Sequence, residues 1–316
     1  MSMQPVFLLS LPRSGSTLVQ RVLTSTPEVA TTAEPWFLLP QAYALRERGA
    51  EAEYVQVSSA RAIRGFADRL PRGLEDYRSA VRDFALRLYD QAGHGEGRLF
   101  LDKTPRYHLI IDELFEWFPE ARFVFLWRNP LAVAASIVDT WARGRWAVER
   151  WHVDLHDGVA NLTAGFRTHE DGALGVRFED LVEDPLTAWP RVFDHLGLTF
   201  DPAVLSSFAE VRLPGRMGDP TGVLSYRELS TEPVQKWRTI LRTPVRKRWA
   251  RRYLGWIGEE RLAMMGYDAE ELLRELDAVP IRLRGSVSDL ARDAYWRADR
   301  TGRDWAARLL WRRLPR

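Results

Sequence analysis

Between an apolar run at Val6 to Leu9 and a helical pattern in Leu18, Val19, Val22 and Leu23, the segment Pro12-Arg13-Ser14-Gly15-Ser16-Thr17 puts a guanidinium, three hydroxyls and a glycine on one tight turn. Backbone N–H groups at such a helix start converge on a phosphate, and the helix dipole favours its negative charge. The segment therefore reads as an anion site. A nucleoside triphosphatase has G-x-x-x-x-G-K-[ST] here, but Ser10 stands where the first glycine belongs and Ser16 where the lysine belongs. A second basic point is Arg128-Asn129-Pro130, directly after the apolar run Phe123 to Trp127, with Ser136 about two turns along the following helix. An arginine at a strand end and a hydroxyl on the next helix can clamp one further phosphate, at the edge where open α/β sheets bind ligands. A metal-dependent phosphoryl transferase wants an aspartate where Arg128 stands. The two points together read as a site for anions without a metal. The plainer alternatives are a turn that merely joins a strand to a helix, and an arginine that caps its own sheet edge.

Four short β-rich segments must position these residues: Val6 to Leu9, Leu99 to Leu101, Phe123 to Trp127 and Leu174 to Phe178. Each reads as a buried parallel strand. Helical spacing lies between them in Tyr77, Val81, Phe84 and Leu88, and again in Leu109, Ile110, Leu114 and Trp117. The alternation predicts an α/β fold, a parallel sheet with helices on both faces. Beyond about residue 180 the pattern is mainly helical, interrupted by a long loop around Pro214 to Gly222.

The composition narrows the class. The 316 residues are 46% hydrophobic and 28% charged, enough for a core of ordinary size, and a net charge of +2 argues against bulk binding to nucleic acid. There is no cysteine, which removes disulfides, a thiol nucleophile and thiolate zinc sites and fits a cytoplasmic protein. Met1 to Ser10 has no basic n-region and too short an apolar stretch for a signal peptide, so the mature protein is expected to begin where the sequence does. Arginine-rich, tryptophan-rich usage points to a bacterial source. No pattern specifies an oligomeric state. The expected organisation is one domain over 1–280 and a basic amphipathic tail over 281–316, with ten arginines, four aspartates, Trp296, Trp305 and Trp311. The plain reading of the tail is a helix packed on its own domain. The sharper one is contact with a membrane surface or an acidic partner.

Pro12 to Thr17 resembles the 5′-phosphosulfate loop of sulfotransferases that use 3′-phosphoadenosine 5′-phosphosulfate (PAPS), and Arg128 with Ser136 resembles their 3′-phosphate site. Leu101-Asp102-Lys103-Thr104-Pro105, Arg177-Phe178-Glu179-Asp180-Leu181 with Asp184-Pro185, and the stretch from Leu224-Ser225 through Ser230-Thr231 to Lys236-Trp237 also resemble segments of that family, in order over residues 5 to 267. The likeness is to the Golgi-type tyrosylprotein and carbohydrate enzymes and their bacterial relatives, more than to the cytosolic phenol and steroid enzymes. It implies a P-loop-type sheet and transfer of a sulfuryl group from PAPS, with the desulfated nucleotide PAP as product. It implies that Arg13 and the amides of Ser14, Gly15, Ser16 and Thr17 hold the 5′-phosphosulfate, that Arg128 and Ser136 hold the 3′-phosphate, and that Ser225 and Lys236 close over the nucleotide. Relatives often have tyrosine where this chain has Phe178, so adenine packing is kept there and a hydroxyl contact is missing.

The transfer needs a base for the acceptor proton, positive charge on the sulfuryl oxygens and a donor for the leaving oxygen. By the resemblance Glu34, in Thr32-Ala33-Glu34-Pro35-Trp36, is the base; its plain alternative is a carboxylate at a helix start. Lys103 stands near the bridging oxygen, unless it is an ordinary partner of Asp102 or Glu34, and Ser225 adds a hydrogen bond. No step needs a metal or a covalent intermediate. His108 is the reserve base; His94, His152, His156, His169 and His195 read as structural or surface residues. The acceptor, a hydroxyl or amine on a small molecule, carbohydrate, lipid or peptide, is left open; Trp36, Phe37, Trp141 and Trp146 flank the expected mouth and either stack on the acceptor or are core or lid residues. Competing readings are a P-loop kinase or nucleotidase and a non-catalytic nucleotide-binding protein.

Overall fold

The computed structural model describes residues 3–215 and 228–312, with side chains through 302. It resolves into two compact units, Met1–Leu126 with Ala164–Ser230 (unit 1) and Trp127–Thr163 with Thr231–Arg316 (unit 2).

Five strands, β1 (Gln4–Ser10), β2 (Val29–Thr31), β3 (Leu99–Asp102), β4 (Arg122–Trp127) and β5 (Ala173–Arg177), form one sheet of order β2-β3-β1-β4-β5. All of β1 but Gln4 is buried, as a central strand covered on both faces requires. It pairs in parallel with β3 from Gln4↔Leu99 to Phe7↔Asp102, and with β4 from Val6↔Arg122 to Ser10↔Leu126. Parallel pairing sends the loops after β1 and β3 out of the same edge. Helices of unit 1 flank the sheet: α1 (Ser16–Leu23), α2 (Leu38–Ala44), α3 (Gln56–Ala67), α4 (Leu74–Ala92), α5 (Ile111–Trp117), α8 (Phe178–Glu183), α9 (Pro185–His195) and α10 (Val204–Ser207), while α6 (Pro130–Thr140) belongs to unit 2 and α7 (Gly158–Thr168) runs from unit 2 into unit 1.

The α/β class and the four expected strands are present, with three local differences. β2 has only three residues, two of them away from full burial, and takes its strand form from pairing with β3 at Val29↔Leu99 to Thr31↔Leu101. Phe178, expected at a strand end, opens α8. The run from Leu109 to Trp117 is a 3-10 turn, Pro105–Leu109, followed by the separate helix α5. In α4 the buried line is Val81, Ala85 and Tyr89. Phe84 is exposed and meets Phe37 edge-on at 6.0 Å.

Unit 2 contains α6 and five further short helices, α11 (Glu232–Gln235), α12 (Trp237–Ile240), α13 (Pro244–Ile257), α14 (Glu259–Met264) and α15 (Ala269–Ala278), then the long α16 (Ser286–Arg312). α6 starts at Pro130, with Asn129 Oδ1 accepting the Leu131 amide at 2.9 Å. α16 is held by its charges. Asp289 is buried and accepts from Thr243 Oγ1 at 2.7 Å and from both Nε and Nη2 of Arg246 at 2.8 and 3.0 Å. Asp293 accepts from Trp146 Nε1 at 3.1 Å, and Glu149 faces Arg300 at 3.2 Å. Among the described residues no helix is long and apolar enough to cross a membrane.

Removing one member of a buried, bidentate pair leaves an uncompensated charge. Asp289→Ala is expected to cost about 3 kcal/mol, read from the urea midpoint. Val287→Ala, on the exposed side of the same helix, should stay within about 0.5 kcal/mol of the parent.

Candidate functional site

After Ser10 the chain turns through Arg13 at φ 68° and Gly15 at φ 90° before α1 begins. A left-handed backbone costs a residue with a Cβ about 1–2 kcal/mol, and Arg13 carries that strain in the turn. At Gly15 a Cβ would lie 2.3 Å from Cδ2 of Phe178. Glycine is needed there both for its φ and for the close approach of the ring. The Ser14 amide donates to Leu11 O at 3.3 Å and the Leu18 amide to Gly15 O at 2.9 Å, closing the loop. Amides at a helix start have no acceptor within the helix, and the first turn of α1 holds no acidic residue to occupy them. The loop residues Arg13 to Thr17 are thereby brought together with the Phe178 ring against Gly15, the arrangement expected of the candidate anion site.

Glu34 follows β2 and stands four residues ahead of α2, so it is not a helix-start carboxylate. Its Oε1 accepts from Lys103 Nζ at 2.6 Å and its Oε2 from Trp36 Nε1 at 3.0 Å. The Lys103 side chain is 2% exposed and that of Glu34 11%. Of the two partners open to Lys103 in the sequence, it takes Glu34. Asp102, next along the chain, accepts instead from Tyr89 OH at 2.7 Å, Tyr107 OH at 3.0 Å and Thr104 Oγ1 at 2.9 Å. Burial pushes its carboxyl up to about 6, against the pull of those hydroxyls and of Lys103. His108 is buried in the 3-10 turn, and desolvation followed by Arg106 pushes it down to about 4. It is therefore a weak proton acceptor at neutral pH.

In unit 2 the residues expected at the second phosphate point gather about α6. Arg128 is largely buried just ahead of the helix and donates from Nη2 to Pro233 O at 2.7 Å. Ser136 lies on α6, and Asp139, one turn further, holds Lys236 Nζ at 2.7 Å. Ser225 lies outside the described residues. Trp146, expected at the mouth, is instead a fully buried core residue. Trp141 meets Trp151 at 5.9 Å and Phe37 meets Tyr89 at 5.5 Å, while Trp36 touches the candidate base.

A family model described as the sulfotransferase family matches residues 5–202. The chain belongs to this family. The matched span includes the anion loop, Glu34, Lys103, Arg128, Ser136 and Phe178, and stops before Lys236. The nodulation protein NoeE of Sinorhizobium fredii is 32% identical over 74% of this sulfotransferase-family chain, and a Drosophila melanogaster protein-tyrosine sulfotransferase is 24% identical over 97% of it. The chain spans 60% and 57% of the lengths of these two relatives. Among solved structures, the sulfotransferase domain of a Synechococcus olefin synthase matches with a TM-score of 0.53 and 26% identity, covering 75% of this chain and 88% of that domain.

Several residues that shape the site carry no motif. Gln20, fully buried on α1, donates from Nε2 to Thr31 Oγ1 at 2.8 Å, Thr32 O at 2.6 Å and Ala33 O at 3.2 Å, gripping the three residues ahead of Glu34. Thr104 Oγ1 accepts the Trp36 amide at 3.3 Å, linking Asp102 to the ring that touches Glu34. A polar residue within a helix otherwise buried along its length was the available signal for Gln20. Asp102 yields a test with a defined sign. Its folded pKa lies above the ordinary carboxylate value, so the folded state holds the proton to higher pH than the unfolded chain does. Its contribution to stability is complete below about pH 4 and is lost as pH rises to about 6. The unfolding free energy of the parent minus that of Asp102→Asn should fall across this window and level off above it. A flat difference would show that Asp102 titrates as an ordinary exposed carboxylate.

Proposed function

We propose that the chain moves a sulfuryl group from PAPS to a hydroxyl or amine of its acceptor, in line and without a metal. The observation that carries this reading is the Lys103–Glu34 pair, a buried cation and carboxylate held 2.6 Å apart just beyond β3. β3 pairs with the strand that feeds the anion loop. The anion loop suits the nucleotide: the backbone passes so close to the Phe178 ring that only glycine fits, and the loop has Arg13 in place of a metal-binding arrangement.

On this reading Arg13 and the amides of Ser14 to Thr17 hold the 5′-phosphosulfate, and Phe178 packs on the adenine. Arg128 and Ser136 hold the 3′-phosphate, while Lys236 and Ser225 cover the nucleotide. PAPS supplies the sulfuryl group when bound. Glu34 takes the acceptor proton as the bond from the acceptor oxygen or nitrogen to sulfur forms and the bond from sulfur to the phosphate oxygen breaks, its electron pair passing to that oxygen. Protonation removes the negative charge that detains Lys103, so the ammonium turns to the leaving oxygen as charge develops there. Gln20 and Trp36 keep the carboxylate in place throughout. The acceptor, a small molecule, carbohydrate, lipid or peptide, stands beside Trp36.

The first experiment is thermal stabilisation by PAP, AMP and Mg-ATP, since a ligand that binds only the folded state raises the melting temperature. PAP in the presence of chelator is expected to raise it clearly, AMP and Mg-ATP little. Arg128→Ala should reduce the PAP shift to that of AMP. A shift with Mg-ATP alone would replace this reading by phosphoryl transfer. The second follows release of PAP from PAPS with water as acceptor. Glu34→Gln should slow it about 100-fold or more while PAP still stabilises the protein. Loss of PAP binding in that variant would make Glu34 structural.

A further inference from the structure

We propose that the outward face of α16 and the arginines just before it seat the protein on an anionic lipid surface. The arrangement of α16 is inverted for a surface helix. Asp289, Asp293 and Trp296 turn inward, where Asp289, Asp293, Arg297 and Arg300 make the ion pairs and hydrogen bonds that fasten the helix to the rest of unit 2 and Arg150 lies 4.8 Å over the Trp296 ring. Its outward positions are Val287, Leu290, Ala291, Ala294, Tyr295 and Ala298, all exposed and spaced by threes and fours along one stripe. Ile281 and Leu283 precede them. The five large apolar side chains of this segment are between 55% and 83% exposed, and they make up five of the twelve exposed large hydrophobic residues of the described chain. Trp296 itself is on the docked face, so the contact does not use it.

The charge of the surroundings selects the occupant. Ile281 and Leu283 alternate with Arg282 and Arg284, both exposed, and the Arg282 amide is anchored on Arg242 O at 2.9 Å. Unit 2 as a whole carries 24 Lys and Arg against 16 Asp and Glu, whereas unit 1 carries 21 against 27. A nucleic acid would use the arginines and have no use for a valine and leucine stripe. A second copy would match stripe to stripe but supply no counter-charge for the arginines, which lie at one end of the stripe. An anionic bilayer satisfies both features, taking the apolar side chains below the headgroups and leaving arginines at phosphate level.

The test is co-sedimentation of the full chain with phosphatidylcholine vesicles, with and without phosphatidylglycerol. Binding should be at least about tenfold stronger to the anionic vesicles and fall with added salt. Val287→Asp with Leu290→Asp, and separately Arg282→Glu with Arg284→Glu, should each remove most of it while far-UV circular dichroism and melting temperature stay at parent values. The arginine pair sits on an exposed segment, so it remains informative should the aspartates disturb the helix. Equal binding to both vesicles, no binding, or variants that bind like the parent would overturn the proposal. A parent dimer that the aspartates dissociate, without vesicle binding, would overturn it in favour of a self-association face.

Discussion

A lysine ammonium that is nearly shut off from water is stabilised by meeting an anion, because a buried charge left unpaired costs several kcal/mol. Lys103 is in that position, and the surrounding structure serves to bring it Glu34. The carboxylate does not come from a regular element. It stands on a non-helical stretch between β2 and α2, a place where chain entropy would ordinarily allow many positions. Three restraints remove that freedom: β2 pairs with β3, Gln20 grips the carbonyls of Thr32 and Ala33, and Trp36 is tied to Thr104. Behind them Asp102 collects three hydroxyl donors and locks Thr104 in turn.

The same buried α1 that holds Glu34 through Gln20 also begins the anion loop at its N-terminus. One helix of eight residues thus fixes the distance between the proposed proton acceptor and the proposed donor site. On the proposed mechanism this coupling matters because proton removal and bond cleavage at sulfur are simultaneous, and a misplacement of about 1 Å costs large factors in rate. On the proposed mechanism His108, buried and pushed down to about 4, takes no part in that step.

Unit 2 shows a different use of charge. α16 spends Asp289 and Asp293 on its own fold, and an apolar stripe faces outward. Exposed apolar patches of this kind mark interaction surfaces. The sequence allowed both a packed helix and a surface contact for the tail; α16 is packed on one face, and the proposed contact uses the other.

The alternation of short apolar runs with helical spacing was sufficient to specify the α/β class, and the ordered set of Pro12 to Thr17, Asp102-Lys103, Arg128 and Phe178 was sufficient to specify the family. Those signals are local: strand burial, a turn that needs glycine, a basic residue at a strand end. Tertiary structure alone decided the rest. β2 is a strand only because β3 lies beside it, Phe178 leaves the sheet to wall the loop at Gly15, and Trp146 belongs to the core because Asp293 comes from 147 residues away to meet its indole. The choice of Glu34 over Asp102 as the partner of Lys103 was equally beyond local reading. Asp102 ends β3 and its carboxylate is taken by Tyr89, Tyr107 and Thr104, so Lys103, just beyond the strand, meets a carboxylate 69 residues away instead.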